Sequence, residues 1–401
     1  MIGKETIKYS LKNLSKRRSR SFLTILSIFI GIVTIFIFIS FGWGLYNYVG
    51  EISSSSSADK IIVQSKAGFG GIDSTFGLTN DDLSAVESTA GIFQASGTYF
   101  RAAQIEFNDE SKYVFLTGYD PKKPLIMDIF GIGAIEGRML RPGDGGKIVL
   151  GYNYLEKDRI FSKAVSLNSK VKINGVYFKV VGFLEKVGNP SDDSQIYISN
   201  DAFEELYPDE DLVYNWVIAQ ADLNDVDQTI ERVEKKLRQE RDQEEGKEDF
   251  FVQSFQDYIE GFSVALDIVV GFVILIALVS VLVSAINTAN TMITSVLERV
   301  KEIGIIKSIG AKNSDVFGIF LFESGFLGFV SGVLGVLVGW GLSSLGGAIL
   351  DNLGYGFLSP YFSPWLFVGC VTFATLTGAL SGIIPAVNAA KTNPVDALRW
   401  E

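Results

Sequence analysis

Residues 262–289 read FSVALDIVVGFVILIALVSVLVSAINTA, and Asp267 is the single charged residue in this run. A helix rises about 1.5 Å per residue, so a run of this length can cross a hydrocarbon core of ~30 Å. Three other apolar runs also reach that length; they are Phe22–Trp43, Phe317–Leu350 and Trp365–Ala386. Buried helices of soluble proteins seldom contain such uninterrupted runs. The sequence therefore predicts four transmembrane helices.

The spans are arranged as one, then a polar block, then three. A composition that is 47% hydrophobic would also suit a large soluble domain, but a soluble core does not need its apolar residues in separate blocks. We predict a multi-pass α-helical membrane protein with four transmembrane helices, arranged 1+3, and an α+β extracytoplasmic domain inserted between helices 1 and 2. The predicted segments are a cytoplasmic amphipathic helix at 1–20, spans at 21–49, 259–291, 315–350 and 364–387, the inserted domain at 50–258, a cytoplasmic helix at 292–314, an extracytoplasmic loop at 351–363 and a cytoplasmic tail at 388–401.

Lysine and arginine residues beside the spans determine the predicted orientation, because such residues are retained in the cytoplasm. Seven precede the first span, four lie between the second and third spans and two lie in the tail, whereas residues 351–364 contain none. We therefore predict a plasma-membrane protein with cytoplasmic termini and a large extracytoplasmic domain. A secretory signal peptide is the alternative for the first span, but its apolar run exceeds ~15 residues and no small-residue cleavage site follows directly.

The residues before the first span favour a helix that lies on the membrane surface. Ile7, Leu11 and Leu14 recur at helical spacing while lysines occupy the other side. A disordered basic tail remains the alternative.

The composition excludes several functions. The inserted block contains 36 of the 46 Asp and Glu residues, which favours solubility and disfavours nucleic-acid binding. The chain has no histidine and no GxxxxGK[ST] loop, so we expect no catalytic residues, no metal site, no bound cofactor and no ATP hydrolysis by a P-loop in this chain. Asp267 and Glu323 leave intramembrane catalysis formally open, but carboxylates near membrane ends are usually interfacial. Cys370, the only cysteine, lies in the fourth span, so the inserted domain contains no disulfide.

Residues 290–315 read NTMITSVLERVKEIGIIKSIGAKNSD and connect the second and third spans. Val296, Val300 and Ile303, with Ile306 and Ile309 after Gly304, have an amphipathic helical spacing that this glycine interrupts. Gly310 is placed to end this helix. A plain connector explains the basic residues equally well, whereas alternating Ile and Lys favours a helix that docks in a partner's groove. The residues alone leave both interpretations open.

The stretch Glu298–Ala311, ERVKEIGIIKSIGA, resembles the ExxxEIGIxxxIGA signature of ABC transporter permeases of the MacB and FtsX-like family. Three other stretches resemble the same family: LSKRRSRSFLTILSIFIG at 14–31, FESG at 322–325 and IPAVNAAKTNPVDALRWE at 384–401. Together with the 1+3 arrangement, these stretches extend the resemblance over the whole chain.

The resemblance implies a permease that works as a homodimer or as a heterodimer with a related permease, with the seam at helices one and two. The stretch from 298 to 311 is then the coupling helix. Because about twenty residues precede the first span, the ATPase that binds ATP and Mg is expected in a separate chain. An outer adaptor protein and the lipid bilayer are further expected partners. The residues predicted to contact the ATPase are Glu298, Arg299, Lys301, Glu302, Ile303, Gly304, Ile306, Lys307, Gly310 and Ala311. Ile303 and Ile306 are expected to fill the partner's groove, the charges to set the register and the glycines to permit close approach.

The inserted domain alternates strand-like runs with turns. Asn174 and Gly175 form a strong two-residue hairpin signal, and residues 226–237 have the spacing of an amphipathic helix. Following the family, we predict a porter-like lobe near the membrane at 59–100 and 191–258, with an inserted lobe at 101–190.

The third span contains a stripe of glycines that leaves one helix face bare. Such a face lets another helix backbone approach closely in lipid. We favour packing against span two or four within the chain over a dimer seam. The stripe consists of Gly318, Gly325, Gly328, Gly332, Gly335 and Gly339.

Three functions remain open at this stage. The favoured one is export or extraction of amphipathic cargo, such as an antimicrobial compound, a peptide or a lipoprotein, driven by the partner ATPase. The second is an FtsX-like regulator that activates a cell-wall hydrolase without transport. The third is a membrane-anchored sensor or adhesin, which explains one span but not three more.

Overall fold

The computed structural model describes residues 18–54, 58–66, 77–208 and 211–399, so the predicted surface helix around Ile7–Leu14 lies outside them. The chain divides into two compact units. The helical unit consists of Met1–Leu45, Leu266–Ile349 and Leu358–Glu401, and the α+β unit consists of Tyr46–Ala265 and Leu350–Phe357.

Within the described ranges, four helices are long and apolar enough to cross a membrane. They are α1 (Arg18–Ser54), α6 (Phe255–Leu297), α8 (Asn313–Asn352) and α9 (Pro364–Lys391). This confirms the predicted fold class of four helices arranged 1+3 around an α+β domain. The second helix runs beyond the predicted span at 259–291 at both ends. Its flanking turns are polar but contain no proline, so helical hydrogen bonding continues where the apolar run has stopped.

Two short helices complete the helical unit, α7 (Val300–Ser308) and α10 (Pro394–Arg399). Gly304 lies inside α7, so the helix continues through the position where the apolar spacing is interrupted. The helix ends instead at Gly310, whose φ of 108° suits glycine. The Gly310 and Ala311 amides donate to the Lys307 and Ile306 carbonyls at 3.1 and 3.2 Å, which is the hydrogen-bond pattern of a Schellman motif.

The glycine stripe of α8 meets two helices. A Cβ added at Gly332 would lie 2.9 Å from Ala374 on α9, and one added at Gly328 would clash with the carbonyl of the same alanine. Added Cβ atoms at Gly335 and Gly339 would lie 2.9 and 3.1 Å from Ile32 and Phe36 on α1. The stripe therefore faces span four and span one. Span two, which was predicted as an alternative to span four, is not the neighbour of these glycines.

The two remaining glycines of the stripe make looser contacts. Gly325 leaves room for a Cβ 3.6 Å from Ala379, and Gly318 is half-buried near the start of α8. A seven-residue repeat drifts by about 20° per heptad on an α-helix. This drift explains why one stripe meets different helices along its length.

Helix α6 contacts α1 through polar side chains. Ser284 donates to the Ser27 carbonyl at 2.8 Å, and the Asn287 amide donates to the Ser27 hydroxyl at 2.7 Å. Such bonds join helices in a setting where burial of apolar area gives little driving force.

The α+β unit is built on a ten-stranded sheet with the order β10-β1-β9-β2-β3-β8-β5-β7-β4, and β6 pairs with β2 and β7. The strands are β1 Lys60–Ser65, β2 Ile92–Phe107, β3 Glu110–Tyr119, β4 Ala134–Gly137, β5 Lys147–Leu150, β6 Lys170–Ile173, β7 Val176–Leu184, β8 Ile196–Ser199, β9 Trp216–Ala221 and β10 Phe250–Ser254. The helices are α2 Asn80–Glu87, α3 Leu125–Phe130, α4 Asn200–Leu206 and α5 Val226–Glu240.

Strand β2 joins the two halves of this sheet. Its residues 92–98 pair with β9, and residues 99–107 pair with β3. Strand β8 pairs in parallel with β3, so it belongs to the half that contains the inserted lobe. The predicted lobe boundary at 191 is therefore wrong, because β8 adds to β3 through backbone hydrogen bonds that the sequence pattern does not reveal.

Turns with positive φ connect the hairpins. Asn174 and Gly175 have φ values of 45° and 90° between β6 and β7, the geometry of a type I′ turn. Asn108 and Asp109, with φ values of 52° and 62°, connect β2 and β3 in the same way, and this turn was not predicted from the sequence. Val233 and Leu237 of α5 are fully buried against the sheet.

A buried ion pair joins two helices at one edge of the α+β unit, which contains no disulfide. Arg241, after α5, donates to Asp82 on α2 at 2.7 Å and to Asp249 at 2.9 Å. Burial raises the pKa of the Asp82 carboxyl, but hydrogen bonds from Arg241 and Thr79 outweigh it and leave this pKa below its usual value. The carboxylate therefore stays ionised and holds α2 against the end of α5.

Residues Leu350–Phe357, which include the last residues of α8, belong to the α+β unit. Asp351 accepts from the Lys186 ammonium at 3.0 Å, and the Phe357 amide donates to the Gly188 carbonyl at 3.1 Å. The buried Asp193 accepts from the Val187 and Gly188 amides, which sets the shape of this loop.

Candidate functional site

The short helix α7 has two faces of different character. Val300, Ile303 and Gly304 are buried. Ile305 is 50% exposed and Ile309, just after the helix, is 81% exposed. Positions 300, 303 and 304 lie one turn apart on one side of a helix, and 305 and 309 recur on another. The helix therefore has an apolar ridge on each side.

The buried ridge packs inside the helical unit. Ile303 is 4% exposed and lies in a cluster with Met292 and Val296 of α6, Phe320 of α8 and Ala389 of α9. The predicted role of Ile303 in filling a partner's groove is therefore wrong, because its side chain already fills the groove between three helices of its own chain. The sequence spacing predicted an apolar ridge but not which groove this ridge fills.

Arg299, at the start of α7, is also buried. Its guanidinium lies 3.2 Å from a Glu323 oxygen on α8, 3.2 Å from a Glu302 oxygen and over the ring of Phe320. Its side chain is 5% exposed and that of Glu323 is 6% exposed. Arg299 was predicted to contact the ATPase, but it is used within the chain.

Lys307 is used within the chain as well. Its ammonium donates to the Ala390 and Thr392 carbonyls at 2.9 and 2.6 Å, where α9 ends. The last carbonyls of a helix lack intrahelical donors, and a positive charge there is favourable.

Gly304 provides the contact with the C-terminal helix α10. A Cβ added at this position would lie 2.8 Å from the Ala397 Cβ, so the absent side chain lets α10 approach. Its predicted role of permitting close approach to the ATPase is therefore replaced by a contact inside the chain.

The outward side of α7 mixes apolar and charged residues. Lys301 and Ser308 are exposed beside Ile305 and Ile309, and the Glu302 side chain is 57% exposed. The remaining predicted contact residues are Glu298 and Gly310, which are exposed, and Ile306 and Ala311, which are half-buried. Ile305 and Ile309 were not among the predicted contact residues, although their i, i+4 spacing indicates that they share one face of the helix.

The outward surface has the chemistry of a docking site. Burial of an exposed isoleucine side chain contributes roughly 1.5–3 kcal/mol, and charged flanks restrict how a partner can be placed. The surface has no histidine or cysteine, and we assign it no catalytic role.

The α+β unit contains a separate polar cleft of about 230 Å³ beside the turn after β3 and the start of α4. Asp120, Asp201 and Glu204 line it, together with Asn200 and Tyr214. Glu204 accepts from the Tyr99 hydroxyl at 2.9 Å. Burial, followed by the neighbouring Tyr214 and Glu204, raises the pKa of Tyr99 well above its usual range, so this hydroxyl stays protonated.

Comparison with known proteins gives a consistent result. Residues 274–394 match the family of FtsX-like permease C-terminal regions, and residues 21–236 match the family of MacB-like periplasmic core domains. A Methanocaldococcus jannaschii protein described as an uncharacterized ABC transporter permease is 32% identical over 99% of this chain and 98% of that protein. The macrolide export ATP-binding/permease protein MacB of Neisseria gonorrhoeae is 26% identical over 98% of this chain, which spans 60% of that protein.

A solved structure is also similar. The periplasmic region of MacB from Actinobacillus actinomycetemcomitans aligns with 53% of this chain and 97% of that chain, at 19% identity and a TM-score of 0.40.

The Gly304 contact generates the first prediction. We expect Gly304→Ala to lower the melting temperature of the purified chain, because the new methyl group overlaps Ala397; overpacking typically costs about 1–3 kcal/mol. Adding Ala397→Gly should restore most of the loss. Thermal melting in detergent measures both variants. The matched control is Gly145→Ala, because a Cβ added at Gly145 meets open space. Equal melting temperatures for Gly304→Ala and the parent chain would contradict this account.

Proposed function

This chain belongs to the ABC transporter permeases with an FtsX-like C-terminal region and a MacB-like core domain, and we propose that it works with a separate ATPase subunit that docks on the outward face of α7. The observation that carries the proposal is the exposure of Ile305 and Ile309 on a helix whose opposite face is packed inside the chain. An apolar ridge between charged residues is the pattern of a helix that lies in a partner's groove.

The proposed mechanism is mechanical. ATP and Mg bind to the partner subunits, and their closure displaces α7. The helices that hold α7 then move, and the α+β unit changes shape. This chain supplies no catalytic group and binds no nucleotide. Two permease protomers act together, as a homodimer or as a heterodimer with a related permease.

The proposed orientation places α7 and both termini in the cytoplasm and the α+β unit outside. The distribution of lysine and arginine supports it, because the segments next to α7 and the tail are basic while residues 351–364 contain neither residue type. This arrangement puts the docking face on the side where ATP is available.

The proposed cargo is amphipathic. The support is the similarity over nearly the whole chain to the permease part of proteins named for macrolide export. The cleft of the α+β unit is polar and is lined by Lys122 and Lys123 as well as by three carboxylates, which suits a hydrogen-bonding part of such a cargo better than an apolar one. An outer adaptor protein remains a further proposed partner.

Docking on α7 generates the second prediction. Ile309→Asp should reduce co-purification of the ATPase subunit at least tenfold. Docking would bury the Ile309 side chain, and losing that burial costs more than the ~1.4 kcal/mol that corresponds to a factor of about ten in affinity. Leu223→Asp is the matched control, since Leu223 is 64% exposed in the α+β unit. Retention of the ATPase by Ile309→Asp at the level of this control would exclude the docking face.

Sidedness generates the third prediction. Cys370 is buried and is the only cysteine, so single cysteines can be introduced on a Cys370→Ser background. A membrane-impermeant maleimide should label Lys157→Cys, at a side chain that is 74% exposed, in intact cells. It should label Ser308→Cys only after the cells are permeabilised. Labelling of both positions in intact cells would contradict the orientation.

Export generates the fourth prediction. Inverted membrane vesicles that contain the chain and its ATPase should accumulate radiolabelled erythromycin in the presence of ATP, and vesicles with Ile309→Asp should lose this uptake. If both vesicles show the same background while deletion of the gene produces a cell-separation defect, a regulator of a cell-wall hydrolase replaces the exporter.

A further inference from the structure

Arg299 and Glu323 form a buried ion pair between α7 and α8. The two residues are 24 positions apart in the chain, and their charged atoms lie 3.2 Å apart. Phe320, one turn before Glu323, covers the guanidinium at 5.7 Å from its ring centroid. Both side chains are almost wholly enclosed, at 5% and 6% exposure. The pair therefore lies inside the contact between the two helices.

Stability alone does not account for a pair in this position. Taking two charges out of water costs free energy that their attraction repays only in part, and apolar side chains of similar size often stabilise such a site as well or better. Apolar contacts are non-directional, so they favour contact between two helices without selecting one alignment of polar groups. A buried ion pair allows one alignment, because any shift separates the charges or leaves one unpaired. The pair therefore sets the register of α7 on α8.

A second polar attachment lies at the other end of α7. Lys307 donates to two carbonyls at the end of α9, eight residues after Arg299 and therefore about 12 Å along the helix. The two attachments fix both the position and the direction of α7. Helix α6 contributes Met292 and Val296 to the same cluster, and it is joined to α7 by the chain and by the Arg299 amide, which donates to the Val296 carbonyl at 3.0 Å.

We propose that Arg299 and Glu323 are positioning residues that fix α7 on α8, so that a displacement of α7 is delivered to α8 as well as to α6, with which α7 is continuous. This inference rests in part on the proposed docking of an ATPase, since that partner supplies the displacement.

The first test measures the position of α7 without any partner. Spin labels at Ser308→Cys and Leu345→Cys, on the Cys370→Ser background, report the distance between α7 and the far part of α8 in the full chain in nanodiscs. We expect one narrow distance distribution in the parent chain. Arg299→Met combined with Glu323→Leu should broaden it at least twofold, while the melting temperature stays close to that of the parent.

The matched control is Lys301→Met, which removes a cation from the exposed side of the same helix and should leave the distribution unchanged. If the double apolar variant fails to fold, Glu323→Gln replaces it, because this change keeps the shape and a hydrogen-bond acceptor but removes the charge. It should also broaden the distribution. A narrow distribution at the parent distance in the folded variant would overturn the proposal.

The second test measures coupling in the complex. The double apolar variant should retain the ATPase subunit on co-purification. Its ATP-dependent transport, or its ATP-dependent change in shape, should be at least tenfold smaller than that of the parent complex. An ATP-dependent response of this variant complex equal to that of the parent complex would also overturn the proposal. If the ATPase does not bind the parent chain, the docking proposal fails while the distance measurement still decides whether Arg299 and Glu323 position α7.

Discussion

Close approach of helix backbones along α8 is the constraint on which the helical unit depends. In lipid, apolar side chains gain little by leaving the solvent, so helices associate where their shapes permit close van der Waals contact. Gly328 and Gly332 permit that contact with α9, and Gly335 and Gly339 permit it with α1. Helix α8 therefore lies between two others, and it also carries Glu323. The same helix provides both the packing centre of the unit and the buried charge that holds α7.

The position of α7 follows from that centre. A nine-residue helix is too short to be stable alone in water, so its structure depends on what it packs against. Ile303 supplies the apolar part of the packing, while Arg299 and Lys307 supply polar bonds to α8 and α9. Because one side is fully used in this way, Ile305 and Ile309 remain available on the other. The residues that attach α7 to its own chain therefore lie on one side of the helix, and the residues available to a partner lie on the other.

The α+β unit depends on a different solution. Without a disulfide it must order its chain through its core and its sheet, and β2 serves both halves because it is long enough to pair with β9 and then with β3. The addition of β8 to β3 brings residues from beyond 190 into the half that was predicted to end there. Backbone hydrogen bonds between strands distant in sequence thus define the lobes, and local composition does not.

The sequence by itself determined the four spans, their 1+3 arrangement and the presence of a helix between the second and third spans, because hydrophobicity and helical spacing are local properties. It also determined the hairpin at Asn174 and the buried side of α5, for the same reason. Only the tertiary structure decided which isoleucines of α7 face inward, that Arg299 meets Glu323 and that Gly304 makes room for α10. A helix with an apolar ridge on each side has no preferred inward face of its own, and the neighbours that choose one are brought there by residues far along the chain. The physical reason is that the sequence pattern indicates which side chains are apolar or charged, whereas the contacts of those side chains depend on which distant residues the fold brings to them.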